Sequence, residues 1–223
     1  MINFLPQMIE NLTKYYQKRA KEYDLVYQKP ERQIDLHQLH VYLKNAFVAQ
    51  NVLEIACGTG YWTKSIAETC TSILATDIND EVIAIATTKD YGVTSVRFEQ
   101  MDFWQLKKAD HVFDSVFGGF IWSHILKKEL PRFLEILKDQ LGAKGELIFI
   151  DNKYVKGSST PIARTDTAGN TYQNRQLQNG EVYEVLKNFP TEKEVKNLIG
   201  PLGFEMEWLE LEYYWILRLR KSG

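Results

Sequence analysis

The sequence predicts a doubly wound α/β fold, and three observations carry that prediction. Short apolar runs alternate with amphipathic segments from residue 51 to residue 151. The first run ends in a glycine-bearing turn, Cys57-Gly58-Thr59-Gly60, that leads straight into a helical pattern. The chain closes on an aromatic-rich stretch, Gly203 to Leu219, long enough for two strands and a tight turn. Repeated strand–helix–strand units bury a parallel sheet between helices on both faces, because each crossover must return over one face.

The elements follow in order. The first 50 residues read as helical. Leu12, Tyr15 and Tyr16 recur at helical spacing, and Ile34, Leu36, Leu39, Val41, Leu43 and Phe47 make a broad stripe over Glu31 to Val48. Pro30 stands at a helix start, where its missing N–H does no harm. Residues 1–50 are therefore expected to form a helical lid on a core of residues 51–223. Five strands are expected over 51–56, 72–77, 94–99, 111–117 and 146–151, with helices over 61–70, 79–91 and 129–141. After Asp151 the rhythm breaks. Residues from about 153 to 185 read as a long polar excursion, and such excursions in compact domains tend to serve function or stay disordered. Thr191 and Glu194 form a capping box that opens another helix, ending near Gly200-Pro201. The final run is expected to form an antiparallel hairpin turning around Glu210 to Tyr213, which brings the sheet to seven strands.

Composition narrows the function. At 223 residues the chain holds one large domain or a domain with one elaboration. Hydrophobic residues at 44% and charged residues at 25% suit a folded chain rather than a disordered one. The balance of 27 basic against 29 acidic residues argues against a dedicated nucleic-acid binder. Two cysteines, Cys57 and Cys70, exclude a disulfide scaffold and suit a reducing compartment. No apolar run approaches the ~20 residues that span a bilayer, and the N-terminus lacks a charged-then-apolar leader pattern. A cytoplasmic protein without membrane contact, monomeric or homodimeric, is expected. No His, Asp or Glu cluster has metal-ligand spacing, so no metal is expected.

The informative segment is Glu54-Ile55-Ala56-Cys57-Gly58-Thr59-Gly60. A strand runs into a turn where Gly58 and Gly60 permit close approach of a ligand at the strand's carboxyl end. Asp77 ends the second strand, where doubly wound folds place an acid on ribose hydroxyls. Thr63 occupies the third position of the dinucleotide fingerprint, so a pyrophosphate cradle is not supported. Asp102 follows the third strand, between Met101 and Phe103.

This combination resembles the class I S-adenosylmethionine-dependent methyltransferases, whose E-x-x-C-G-T-G signature matches Glu54 to Gly60. The resemblance spans roughly residue 10 to the end. It implies a Rossmann-like seven-stranded sheet of five parallel strands and a C-terminal antiparallel hairpin, with S-adenosylmethionine as cofactor and S-adenosylhomocysteine as its product. It implies cofactor contacts from Glu54, Ala56, Cys57, Gly58, Gly60, Met101, Phe117 and Gly118. Asp77 then meets the ribose, Asp102 meets the adenine amino group, and Ile78 and Phe103 sandwich the ring. Tyr16 to Asp24 is similar to the Y-x-x-x-A-x-x-Y-D lid segment of many small-molecule methyltransferases, which makes Tyr16, Arg19 and Tyr23 candidates for the cofactor carboxylate. The chemistry agrees with the resemblance: the cofactor has a sulfonium and no phosphate, and aromatic faces and carboxylates suit a cation.

The acceptor side is expected beside the carboxyl end of the fourth strand, Phe117 to His124. Methyl transfer from a sulfonium needs alignment and desolvation, and a base helps when the acceptor carries a proton. His124 is the candidate base, since its proton affinity suits neutral pH. Trp122, Arg164, Arg175 and Tyr183 are candidate substrate contacts, with the arginines and tyrosine suited to an acidic or aromatic substrate. His111 reads as a strand start, and His37 and His40 as helix-surface residues. The expected activity is methylation of an oxygen or nitrogen of a small molecule. A protein or tRNA methyltransferase of the same fold and a non-catalytic cofactor-binding module remain as alternatives.

Overall fold

A computed structural model describes residues 4–107 and 112–221. Helix α1 (Phe4–Arg19) passes into a 3₁₀ segment, Ala20–Gln28, and then α2 (Gln33–Ala46). The alternating part follows as β1 (Asn51–Ile55), α3 (Tyr61–Ala67), β2 (Ser72–Asp77), α4 (Asp80–Ala86), β3 (Ser95–Gln100), β4 (Phe113–Gly119), α5 (Leu130–Lys138) and β5 (Leu141–Asn152). Then come β6 (Arg164–Thr165), β7 (Thr171–Gln176), β8 (Val182–Leu186), α6 (Glu192–Ile199), β9 (Phe204–Glu210) and β10 (Tyr214–Lys221).

Seven strands form one sheet in the order β3-β2-β1-β4-β5-β10-β9. β1 to β5 run parallel, β10 pairs antiparallel with β5, and β9 pairs antiparallel with β10. The closing hairpin is present, and only β10 opposes the parallel set. Its turn is pinned from outside the sheet, where the Tyr213 N–H donates to Asp35 Oδ2 at 2.7 Å. The central strands are apolar runs because both faces are covered. Leu39, Leu43, Phe47, Trp62 and Ile66 pack one face; Trp122, Phe133, Leu134, Leu137 and Trp215 pack the other.

Several boundaries differ from the sequence reading. α3 and α4 stop at Ala67 and Ala86, short of the expected ends at residues 70 and 91. β5 begins at Leu141, where a helix end was expected: Leu141 pairs with Phe113, then the register shifts before Glu146 meets Ser115. β4 is assigned from Phe113, and His111 lies outside the described residues. The polar excursion is ordered as a separate three-stranded antiparallel sheet, β6-β7-β8. Tyr15 of α1 packs on Leu177 and Val185 of that region, so the lid helix and the small sheet close over the main sheet together.

The strand order reverses between β1 and β4. Crossovers leave these two strands for opposite directions, so a crevice opens at their carboxyl ends. α1, the 3₁₀ segment and the small sheet roof that crevice. Among the described residues no helix is long and apolar enough to cross a membrane.

Candidate active site

The turn after β1 is built on left-handed backbone, with φ at +50° for Ala56, +55° for Gly58 and +76° for Gly60. Glycine answers that demand at two of the three positions. At Gly60 a Cβ would stand 2.1 Å from Tyr91 Oη, so no other residue fits without moving that ring. Ala56 holds the strained angle at the floor of a cleft, a common place to find stored strain.

Asp77 ties the turn down. Its Oδ2 accepts the Gly58 N–H and its Oδ1 accepts the Asn79 N–H, each at 2.9 Å. Burial raises its carboxyl above the usual range, and the backbone N–H groups pull it partly back. Beneath the turn, Glu54 is buried and accepts the Thr63 hydroxyl at 2.6 Å. Burial pushes the Glu54 carboxyl up to about 8.

A first cleft of about 1020 Å³ lies over this turn. Ala56, Gly58, Asp77, Ile78, Met101, Asp102 and Phe103 line it from the main sheet, and Tyr16 and Tyr23 from the lid. Asp77, Asp102 and Glu129 supply carboxylates to its wall, and among the described residues no Lys or Arg lines it. Asp102 also caps the short turn after β3, accepting from the Trp104 N–H at 3.0 Å. Glu54, Cys57, Gly60, Phe117 and Gly118 stand behind the surface instead. The Cys57 thiol is held up by burial, Phe117 packs on Phe47, and Gly118 is pressed by Ile121 and Phe149. Gly119 and Phe120 take the exposed places at the end of β4.

A second cleft of about 1030 Å³ lies on the far side of Tyr16, Tyr23, Phe120 and His124, which line both. Arg19, Lys29, Arg32, Arg175 and Lys187 line the second cleft, and among the described residues no Asp or Glu does. Arg19 thus faces this cleft rather than the first. Phe120 sits in the partition with φ at +60°, a strained angle for a non-glycine residue.

His124 is buried in the partition. Nδ1 faces the Leu186 carbonyl at 2.6 Å, so Nδ1 carries the proton and donates. Nε2 is left as an acceptor and takes the Tyr16 hydroxyl at 2.7 Å. Burial, then the charges of Lys187 and Arg175, hold the imidazole well below its ordinary range. It is therefore a neutral acceptor at physiological pH, with its lone pair already engaged. Burial also raises the Tyr16 hydroxyl, which keeps its proton.

The turn that carries His124 is clamped from β5 and from the end of β8. Asp151 Oδ2 accepts the Ser123 N–H at 2.9 Å, and Lys187 Nζ donates to Ser123 Oγ at 2.6 Å. Lys187 also pairs with Asp151 at 2.8 Å, and both side chains are fully shielded from solvent. Asn188 N–H donates to the Ser123 carbonyl at 2.8 Å. Burial pushes Lys187 down to about 8. Burial also works against the Asp151 charge, but Lys187 overrides it and holds the carboxyl below its usual range.

The remaining candidates fall elsewhere. Trp122 is core, packed on Phe149 and Trp215. Arg164 is exposed, pairs with Glu184 at 2.6 Å and stacks over Tyr172. Tyr183 donates to Glu181 and touches Tyr15 on the outside of the lid. His37 is exposed, whereas His40, expected at a helix surface, is half-buried and bonded to Ser65 and Tyr61. Sequence reasoning missed Lys29, Arg32, Asp151 and Lys187. Only Asp151 carried a signal, as an acid at the carboxyl end of a central strand. Among the described residues no group of His, Cys, Asp and Glu is placed to hold a metal ion.

A family model for a methyltransferase domain matches residues 52–145, from β1 into the first part of β5. Solved structures extend the likeness to the whole fold of this chain. The DhpI complex with SAH superposes at a TM-score of 0.80, with 24% identity over 96% of this chain and 97% of that one. Magnesium protoporphyrin IX methyltransferase (ChlM) from Synechocystis PCC 6803, with bound SAH, gives 0.65 and 16% identity over 94% and 98%. An S-adenosylmethionine-dependent methyltransferase from Clostridium acetobutylicum ATCC 824 gives 0.63 and 18% over 93% and 99%. Comparison with the curated proteins gives no match.

Proposed function

We propose that this chain is a methyltransferase that holds S-adenosylmethionine in the first cleft and transfers its methyl group to an oxygen or nitrogen of a small molecule in the second. The observation that carries the reading is the shared partition: two clefts of opposite charge meet at Tyr16, Tyr23, Phe120 and His124.

The residues of the first cleft fit that cofactor. Carboxylates and aromatic faces without Lys or Arg favour a cation and an adenosine over a pyrophosphate. In this reading Asp77 meets the ribose hydroxyls, Asp102 the adenine amino group, and Ile78 and Phe103 the ring faces; their place in the wall of the first cleft supports it. When bound, the cofactor supplies a methyl group already activated on sulfur. The protein's contribution is then alignment and exclusion of water. Phe120, fixed in a strained backbone, gives the partition its shape. Tyr16 and Tyr23 close it from the lid. The Tyr16–His124 bond joins lid to core across the reaction path, so ordering the lid and ordering the partition are one event. His124 positions Tyr16, and its low proton affinity makes it a weak base.

Titration calorimetry with S-adenosylmethionine, S-adenosylhomocysteine and NAD tests the reading. Binding of the first two and not of NAD is the expected result. It is followed by a screen for methyl transfer to small hydroxyl, carboxyl and amine acceptors. Binding of NAD alone would return the glycine turn to nucleotide-dependent oxidoreductases.

A further inference from the structure

The second cleft has an unbalanced charge. Lys187 is neutralised by Asp151, but Arg19, Lys29, Arg32 and Arg175 have no carboxylate partner among the described residues. Arg32 is only 6% exposed, yet it donates to neutral oxygens alone: Ser158 Oγ at 3.0 Å and Asn152 Oδ1 at 3.0 Å. Arg175 donates to Gln173 Oε1 at 2.8 Å, Arg19 to the Tyr15 hydroxyl, and Lys29 to the Ser158 carbonyl. Elsewhere the same protein pairs its cations, as in Lys18–Glu181, Lys153–Glu210, Arg164–Glu184 and Arg218–Glu146. The four unpaired cations come from three places in the chain: the end of α1, the link before α2, and β7. They are therefore not one solvated helix face. Like charges brought together in a partly buried space repel, and a bound anion relieves that repulsion.

We propose that the acceptor is a small organic oxyanion, held by Arg175, Arg32, Lys29 and Arg19, and that the methyl group goes to one of its oxygens. The proposal rests on the methyltransferase reading above and names the substrate class. An anionic oxygen forms the new bond to the methyl carbon, and the carbon–sulfur bond breaks with its electron pair left on sulfur. The sulfonium becomes a neutral thioether and the oxyanion becomes an ester. No proton moves, so no base is required. That agrees with a His124 held neutral, its lone pair taken by Tyr16. The ester carries one negative charge fewer than the acceptor, so the cationic cleft holds product more weakly than substrate. Carboxylates and phosphate or phosphonate groups share this chemistry.

The test is calorimetric titration of the protein saturated with S-adenosylhomocysteine, at constant ionic strength, with inorganic phosphate, succinate, glycerol and ethanolamine. At least one of the two oxyanions is expected to bind, and glycerol and ethanolamine are not. Phosphate alone would mark a tetrahedral acceptor and succinate alone a carboxylate, and either supports the proposal. Arg175→Gln and Lys29→Gln are each expected to lower oxyanion affinity about tenfold, with affinity for S-adenosylhomocysteine unchanged and most of the loss recovered in Arg175→Lys. Two results overturn the proposal: tighter binding of glycerol or ethanolamine than of both oxyanions, or oxyanion affinity unchanged in both Gln variants. Failure of S-adenosylhomocysteine to bind strikes the methyltransferase reading instead. The phosphate and succinate titrations of the unloaded protein then still decide whether the cleft takes an oxyanion.

Discussion

Replacing Lys187 by methionine removes one member of a fully buried ion pair and leaves the shape of the side chain. Lys187 is 4% exposed and Asp151 0% exposed, so the surviving carboxylate has no water to turn to. Breaking such a pair from one side destabilises by about 3–5 kcal/mol. Asp151 keeps the Ser123 and Asn152 N–H groups at 2.9 and 2.7 Å, which places the expected loss toward the lower end. For a chain of this size each kcal/mol moves Tm by about 2–4 °C, so Lys187→Met is expected to melt about 6–12 °C lower. Asp151→Asn in the same background removes the orphan charge and is expected to restore at least half of that loss. The assay is thermal unfolding of wild type, both single variants and the double variant by circular dichroism at pH 7, read as a double-mutant cycle. The consequence for function is positional. Lys187 and Asp151 hold the turn bearing His124, so cofactor affinity is expected to survive where the acceptor side is loosened. A Lys187→Met variant within 1 kcal/mol of wild type would refute the reasoning, because a buried unpaired Asp151 cannot be that cheap.

Two further predictions concern the first cleft. Asp77→Asn keeps the size of the side chain but loses its charge, and one of the two N–H groups it now accepts must lose its partner. Hydrogen bonds to a charged group contribute about 1.5–3 kcal/mol, so affinity for S-adenosylmethionine is expected to fall about 10–100-fold while the circular dichroism spectrum is kept; unchanged affinity would make Asp77 a strut for Gly58 and Asn79 and nothing more. Glu54 gives a pH dependence. Its carboxyl is raised to about 8 in the folded chain, so the unfolded chain loses its proton first as pH rises. Its stabilising contribution is present below about pH 4.5 and is lost progressively up to about pH 8. Each pH unit in that window is worth about 1.4 kcal/mol, so between pH 5 and pH 7 wild type is expected to lose roughly 5–11 °C of Tm more than Glu54→Gln. Parallel Tm profiles for the two proteins would show that Glu54 is ionised in the fold.

What was legible in the sequence is what local rules decide. Strand and helix order from Asn51 to Asn152 followed from short apolar runs alternating with period-3.6 patterning, because burial on both faces of a parallel sheet leaves little choice of residue. The Gly58–Gly60 turn and the position of Asp77 followed from backbone demands that few residues meet. The Thr191–Glu194 capping box was readable for the same reason, and both of its bonds form. Boundaries were less legible: the helix was expected to run to residue 91, but α4 ends at Ala86, where the polar run from Thr87 begins.

The acceptor side was decided by tertiary structure. Arg19, Lys29, Arg32 and Arg175 are separated by as many as 156 positions, and nothing local distinguishes them from Arg164, which turned outward to Glu184. The polar excursion gave no strand signal because β7 is almost wholly polar and neither β7 nor β8 alternates buried with exposed residues. The same holds for His124. Its residue type suggested a base, but its protonation depends on Leu186, Tyr16, Lys187 and Arg175, all distant in sequence. Local patterning determines which elements form and where a cofactor turn must lie. Charge balance and proton affinity belong to whichever groups the fold brings within a few ångströms, and only the assembled structure sets those distances.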